Sequence, residues 1–277
     1  VFNLSLNKLE TMDYININKN SWNAKVDYHL KSDFYFVDEF IAGRTSLNEP
    51  ELELLGDIKG KKILHLQCHF GQDSISLARM GAEVTAVDLS DKAIVEARIL
   101  AEKCGVDVNF IESNVYDLPN VLEEKFDIIF TSYGVIGWLP DLDKWAKIIQ
   151  HFLKPNGEFI MVEFHPVIWM FDDDFTKIAY DYQSTEPIVE TYEGTYADKD
   201  AAITQEYVMW NHALSEVFQS LINQNLEIKH FLEYDWSPYA CFKHTVEVEK
   251  GKYRISKFDK KVPLVFSIKA MNKEFSN

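Results

Sequence analysis

The stretch ILHLQCHFGQD, Ile63 to Asp73, followed by VTAVDLS, Val84 to Ser90, decides the fold. A short apolar strand ends, a loop with one glycine follows, and a helix begins. Such a helix start offers its first N–H groups to an anion or a polar ligand. The second strand ends in Asp88, 17 residues after Gly71. An acidic side chain at that place accepts hydrogen bonds from ribose hydroxyls. A dinucleotide site uses G-x-G-x-x-G so that backbone can approach a pyrophosphate; of such a set only Gly71 is present. A nucleoside ligand without phosphates fits the run better.

Outward from this run the pattern is regular. Lys62–Leu66 and Ala82–Val87 read as strands, and Gly71–Met80 between them as a helix stopped by Gly81. Ser90 caps a helix reaching Cys104, with Asp91 in its first turn and Gly105 beyond its end. Val108–Ile111 and Phe126–Thr131 are further strands, the latter apolar along its middle as a strand buried on both faces would be. Asp141–Phe152 is a helix, and Pro155-Asn156-Gly157 turns into a fifth strand, Glu158–Phe164. This alternation predicts an α/β fold with a doubly wound, parallel sheet and helices on both faces. After Phe164 the rhythm breaks. Residues 165–210 contain two β-like runs, Pro187–Thr195 and Ile203–Trp210, and read as an inserted cap. A helix near His212–Gln224 and strands Leu226–Glu233 and Val262–Ala270 bring the sheet to seven. The expected division is a helical segment 1–55, a core 56–164, a cap 165–210 and the rest of the core, 211–277.

Composition excludes several functions. The net charge of −16 disfavours phosphate backbones and anionic membranes, so neither nucleic acid nor a membrane is the expected partner. No apolar run approaches the ~20 residues of a membrane helix. Cys68, Cys104 and Cys241 are an odd, scattered set with no CxxC pair, which fits a reducing compartment; the expected location is cytoplasmic. The start lacks a basic region before an apolar core, and residues 1–11 read as a tail ahead of Met12. No metal is expected: the Asp172-Asp173-Asp174 run lacks the spacing of a calcium loop and reads as a solvated acidic run or a helix start. Oligomeric state leaves no mark in the sequence.

Together these motifs make the chain similar to class I S-adenosylmethionine-dependent methyltransferases, and to a branch whose first motif reads HLQCHFG. The resemblance is strongest over about residues 60–165. It implies a Rossmann-like fold whose last strand is antiparallel, with the N-terminal segment covering the cofactor. It implies S-adenosylmethionine as cofactor and S-adenosylhomocysteine as product. Gln67, Cys68, His69, Phe70, Gly71 and Asp73 would surround the methionine end. Asp88 would take the ribose with Leu89 a further cofactor contact, Asn114 and Val115 would border the adenine, and Ser132 and Tyr133 would follow the fourth strand beside the cofactor. The usual motif is an acid followed by G-x-G-x-G; here His65 stands for the acid, and Gln67 and His69 replace two glycines. Those side chains either crowd the cofactor or reach its carboxylate and amine. The second reading is preferred, because Asp88 and the later motifs are intact.

The ends of the fourth and fifth strands place Tyr133, Glu163 and His165 over the methyl group. His165 and Tyr133 are the catalytic candidates if the acceptor must lose a proton, with His69 a further possibility. Trp138, Glu163, His165, Trp169 and Trp210 are the candidate acceptor contacts, though Tyr192, Trp236 and the tryptophans also suit a plain core. Arg44 could pair with a carboxylate or lie on the surface. The expected activity is in-line methyl transfer to a small molecule. The alternatives are a non-catalytic S-adenosylmethionine or S-adenosylhomocysteine binder and, less favoured, a nicotinamide-dependent oxidoreductase.

Overall fold

The structure, a computed structural model, describes residues 12–273; the expected tail, residues 1–11, lies outside them. Three helices come first: α1 (Tyr14–Lys31), α2 (Val37–Ile41) and α3 (Glu49–Leu55). The core follows as β1 (Lys62–Leu66), α4 (Gln72–Arg79), β2 (Glu83–Asp88), α5 (Asp91–Cys104), β3 (Asn109–Glu112), β4 (Phe126–Ser132), α6 (Leu142–Phe152) and β5 (Leu153–Phe164). The remainder is β6 (Ile188–Glu193), β7 (Thr204–Met209), α7 (Leu214–Asn223), β8 (Leu226–Tyr234), β9 (Thr245–Glu249), β10 (Lys252–Ile255) and β11 (Val265–Asn272).

Seven strands form one sheet in the order β3-β2-β1-β4-β5-β11-β8. β11 runs antiparallel to both its neighbours, and the other pairings are parallel. The order reverses between β1 and β4, where sheets of this kind bind ligands beyond the strand ends. The sheet is Rossmann-like, as the alternation predicts. One apolar cluster fills the face under α4 and α5, and a second the face under α6 and α7.

Local signals explain most boundaries. Ser90 accepts from the Ala93 N–H at 3.0 Å and Asp141 from the Lys144 N–H at 2.8 Å, so each helix starts at its cap. Gly105 closes α5 in the left-handed conformation, φ +67°. β5 begins earlier than expected, because Leu153 pairs with Phe126 across a register shift and the Pro155-Asn156-Gly157 turn sits inside the strand. β11 begins at Val265 rather than Val262; Pro263 has no N–H to give a ladder.

Two excursions leave the sheet. Between β5 and α7 the chain makes the antiparallel pair β6–β7. Between β8 and β11, residues 235–264 depart to form the hairpin β9–β10, where the sequence reading placed only core. The alternation in Thr245–Glu249, with Val246 and Val248 exposed, was the available signal. No described helix is long and apolar enough to cross a membrane.

Candidate functional site

Above the β1/β4 reversal lies a cavity of about 1110 Å³, walled by the loops at the strand ends, by α1 and by both excursions. One drug-sized ligand occupies roughly 300–1,000 Å³, so this chamber has room for a nucleoside cofactor and a small second molecule. Every residue that the resemblance assigns to the cofactor, from Gln67, Cys68, His69, Phe70, Gly71 and Asp73 through Asp88, Leu89, Asn114 and Val115 to Ser132 and Tyr133, lines it.

The loop after β1 keeps a backbone suited to glycine without the glycines. Gln67 and His69 have φ of +56° and +51°. Left-handed backbone costs an ordinary residue roughly 1–2 kcal/mol, so these side chains are held where they are by their contacts. Gln67 donates from Nε2 to the Val135 carbonyl at 2.9 Å. Its Oε1 is buried in the cavity wall with no partner among the described residues. His69 accepts the Phe70 N–H on Nδ1 at 2.7 Å, so its proton sits on Nε2 and is donated to His29 Nδ1, 2.8 Å away. Burial keeps both rings neutral, His69 at about 3 and His29 at about 2. Gly71 has a separate reason: a Cβ there would stand 2.7 Å from the Phe110 ring of β3.

Asp88 closes β2. Its Oδ2 accepts the His69 N–H at 2.7 Å and its Oδ1 the Ser90 N–H at 2.9 Å, with the Leu89 N–H adding to them, which leaves acceptor capacity on the carboxylate. Burial raises its carboxyl to about 6 against these stabilising N–H groups. Ser132 donates to Asp73 at 2.8 Å, which ties the end of β4 to the first turn of α4. Asn114 accepts the Tyr116 N–H at 3.1 Å and fixes the turn after β3.

Beyond β4, Tyr133 takes φ +41° and donates its hydroxyl to Glu51 at 2.9 Å. Glu51 lies in α3, fully buried, and also accepts from Asn48 at 3.2 Å. Burial, and then the charge of Asp73, lifts its carboxyl to about 7. The sequence reading missed this partner. Glu163 reaches the cavity wall, but its oxygens are taken by the N–H groups of Gly134, Val135, Ile136 and Phe164. It positions the β4–α6 loop and leaves little for an acceptor. His165 requires a correction. It does not line the cavity: Nε2 meets Glu233 at 2.9 Å and Nδ1 accepts the Val167 N–H at 3.2 Å, so both nitrogens are engaged on the far side of the turn.

Trp138, Trp169, Tyr192 and Trp210 line the chamber; Trp236 does not, and packs on Tyr234 and Lys252. Arg44 reaches the wall, stacked 3.9 Å over Phe36. Asp172 accepts the Thr176 N–H at 2.6 Å and closes its own turn. Among the described residues no group of His, Cys, Asp or Glu is arranged to hold a metal.

The cover is lined largely by polar and aromatic side chains. The buried face of α1 is Asn18, Ser21, Lys25, Val26 and His29. Asn18 exchanges two hydrogen bonds with the Val208 backbone of β7, at 2.8 and 2.9 Å. Trp22 packs edge-on against His69 and Trp138, with centroids 5.2 and 5.3 Å apart. Tyr35, after α1, shares a hydrogen bond with Tyr196 of the cap.

The sheet order, its single antiparallel strand and an acidic side chain closing β2 beside the cavity define a Rossmann-like fold of the methyltransferase type. Residues 57–235 match the family described as "Methyltransferase domain", and the chain belongs to that family. An uncharacterized methyltransferase of Bacillus subtilis is 33% identical over 120 residues, which are 43% of this chain and 47% of that protein; the chain thus spans about half the length of that relative. A ubiquinone biosynthesis O-methyltransferase of Rickettsia prowazekii is 26% identical over 81% of this chain and 80% of its own. Among solved structures, geranyl diphosphate C-methyltransferase from Streptomyces coelicolor, in complex with S-adenosyl-L-homocysteine, superposes with a TM-score of 0.59 over 95% of this chain and 99% of its own. Identity there is 15%, so the likeness is one of fold.

Proposed function

We propose that this chain transfers a methyl group from S-adenosylmethionine to a hydroxyl of a small molecule enclosed between the strand ends and the cover. The observation that carries the reading is the chamber itself, whose wall includes a buried Gln67 Oε1 unpartnered among the described residues and the Asp88 carboxylate with acceptor capacity to spare. A nucleoside amino acid fits these donors and acceptors: Asp88 would hold its ribose hydroxyls, and Gln67 Oε1 would accept from its ammonium. Leu89 and Val115 offer apolar walls to the base.

S-adenosylmethionine, when bound, supplies an electrophilic methyl on a sulfonium whose displacement leaves a neutral thioether. The chain's residues need to align the acceptor and exclude water. A hydroxyl acceptor must also lose a proton as it attacks. Tyr133 borders the chamber with Glu51 behind it. Burial holds the Tyr133 phenol well above its usual range, so it does not ionise alone. The acceptor proton therefore passes to the Tyr133 oxygen as the Tyr133 proton passes to Glu51.

The test begins with calorimetric titration of S-adenosylmethionine, S-adenosylhomocysteine and NAD, with Asp88→Ala alongside. Micromolar binding of the first two, weakened about 100-fold (~2.7 kcal/mol) in the variant, is the expected result. Binding of NAD alone would return the oxidoreductase reading. Methylation of a panel of small phenols and alcohols then separates enzyme from passive binder. Glu51→Gln should lower kcat about 100-fold or more with unchanged S-adenosylhomocysteine affinity, the size general-base loss usually takes. Full turnover in that variant would remove the relay.

A further inference from the structure

We propose that Lys25 is the anchor of a carboxylate-binding subsite inside the chamber, formed jointly by α1, the β4–α6 loop and the β7 strand of the cap. This rests on the chamber being the place where cofactor and acceptor meet. Among the described residues three Lys, Arg, Asp or Glu side chains are buried: Lys25, Glu51 and Glu163. Glu163 receives four backbone N–H groups, and Glu51 receives Tyr133 and Asn48. Lys25, 6% exposed, has neither a hydrogen bond nor an ion pair with any described residue. Its Nζ lies 4.4 Å from the Trp22 ring, 5.3 Å from Trp138 and 5.8 Å from Tyr207, and all four residues line the cavity.

A buried ammonium without an anion is costly unless it is neutralised or paired. The aromatic faces offset part of that cost, and burial lowers the group to about 8, which still leaves it charged at neutral pH. The missing partner is therefore an anion that arrives with a ligand. Its charge is also limited. Asp33, Asp73, Asp88, Glu163, Asp172, Asp173 and Asp198 line the same cavity, and Lys25 is its one buried cation among the described residues. Arg44, Lys199 and Lys243 also line the cavity but are not buried; at Lys25 a phosphate dianion would meet one buried counter-charge, whereas a monoanionic carboxylate matches it. Two molecules can bring one, the cofactor through its methionine carboxylate or the acceptor itself.

The experiment compares wild type with Lys25→Met, which keeps the length of the side chain and removes the charge; Lys25→Arg restores a cation, and circular dichroism confirms that both fold. Each is titrated with S-adenosylhomocysteine, with 5′-methylthioadenosine, which lacks the amino-acid end, and with benzoate in the presence and absence of S-adenosylhomocysteine. S-adenosylhomocysteine weakened at least tenfold in Lys25→Met, with 5′-methylthioadenosine unchanged, assigns the subsite to the cofactor's carboxylate. Unchanged S-adenosylhomocysteine with benzoate binding lost assigns it to the acceptor's. Rescue by Lys25→Arg supports either assignment. If no carboxylate ligand distinguishes Lys25→Met from wild type, the proposal is overturned. Failure of wild type to bind S-adenosylhomocysteine would instead break the functional reading, and the benzoate titration would still decide the role of Lys25.

Discussion

Helices α6 and α1 each bury one face, and the two faces are chemical opposites. On α6 the buried residues are Leu142, Trp145, Ala146, Ile148, Ile149 and Phe152, packed on one side of the sheet. On α1 they are Asn18, Ser21, Lys25, Val26 and His29, over the strand ends. Removing the apolar face of α6 from water contributes stability whether or not a ligand is present. The α1 face contributes little of that kind and spends its polar groups on β7, on His69 and on the chamber. One helix holds the fold and the other closes a site, and substitutions should tell them apart.

The largest effect belongs to α6. Trp145→Ala should cost about 3–5 kcal/mol in urea denaturation, the range for deleting a buried aromatic, with S-adenosylhomocysteine affinity of the folded fraction unchanged. A loss under about 1 kcal/mol would mean that α6 is not structural in this sense. Lys25→Met should move stability the other way, by about 1–3 kcal/mol in the ligand-free protein. Lys25 titrates lower in the fold than in the open chain, so folding favours its neutral form. The gain over wild type should therefore be full below about 8, where Lys25 is charged, and should shrink as pH rises toward the ordinary lysine value. A destabilised variant would show that the ammonium has a partner in solution.

The smallest effect is a pH dependence at the rim. In the proposed cofactor site the ribose hydroxyls would donate to Asp88, so its ionised form would be the one that binds. Its carboxyl titrates near 6 in the free protein. Affinity for S-adenosylhomocysteine should hold above that pH and fall as pH drops through it, about tenfold (~1.4 kcal/mol) by pH 5. The Asp88→Asn variant should lack that slope, and a slope retained in it would move the titration to another group.

The same contrast explains what the sequence made legible. From Lys62 to Phe164 the strands and α-helices announce themselves locally, by an apolar strand, a Ser or Asp cap, or a glycine stop, and the cavity-facing positions follow from the strand ends. The altered glycine loop was readable by its place in the run, although that Gln67 and His69 would keep left-handed backbone was not. The face of α1 carries no such signal. Asn18, Ser21, Lys25 and His29 recur at helical spacing, but a polar stripe looks like a solvated one until something covers it. Glu51 and Tyr133 stand 82 residues apart, and only the tertiary fold brings them together. His165 showed the reverse error: the end of a strand predicts proximity to the chamber, while the turn at Pro166 and the pull of Glu233 decide which way the ring faces.

The doubled bond between Asn18 and Val208 couples the two halves of the cover. The Asn18 carboxamide meets that backbone with one donor and one acceptor, as a neighbouring strand would, across 190 residues of chain. Lifting α1 alone would strand two buried polar groups on each side. The helix and the β6–β7 pair are thereby latched to one another, so displacing either costs the other its partners.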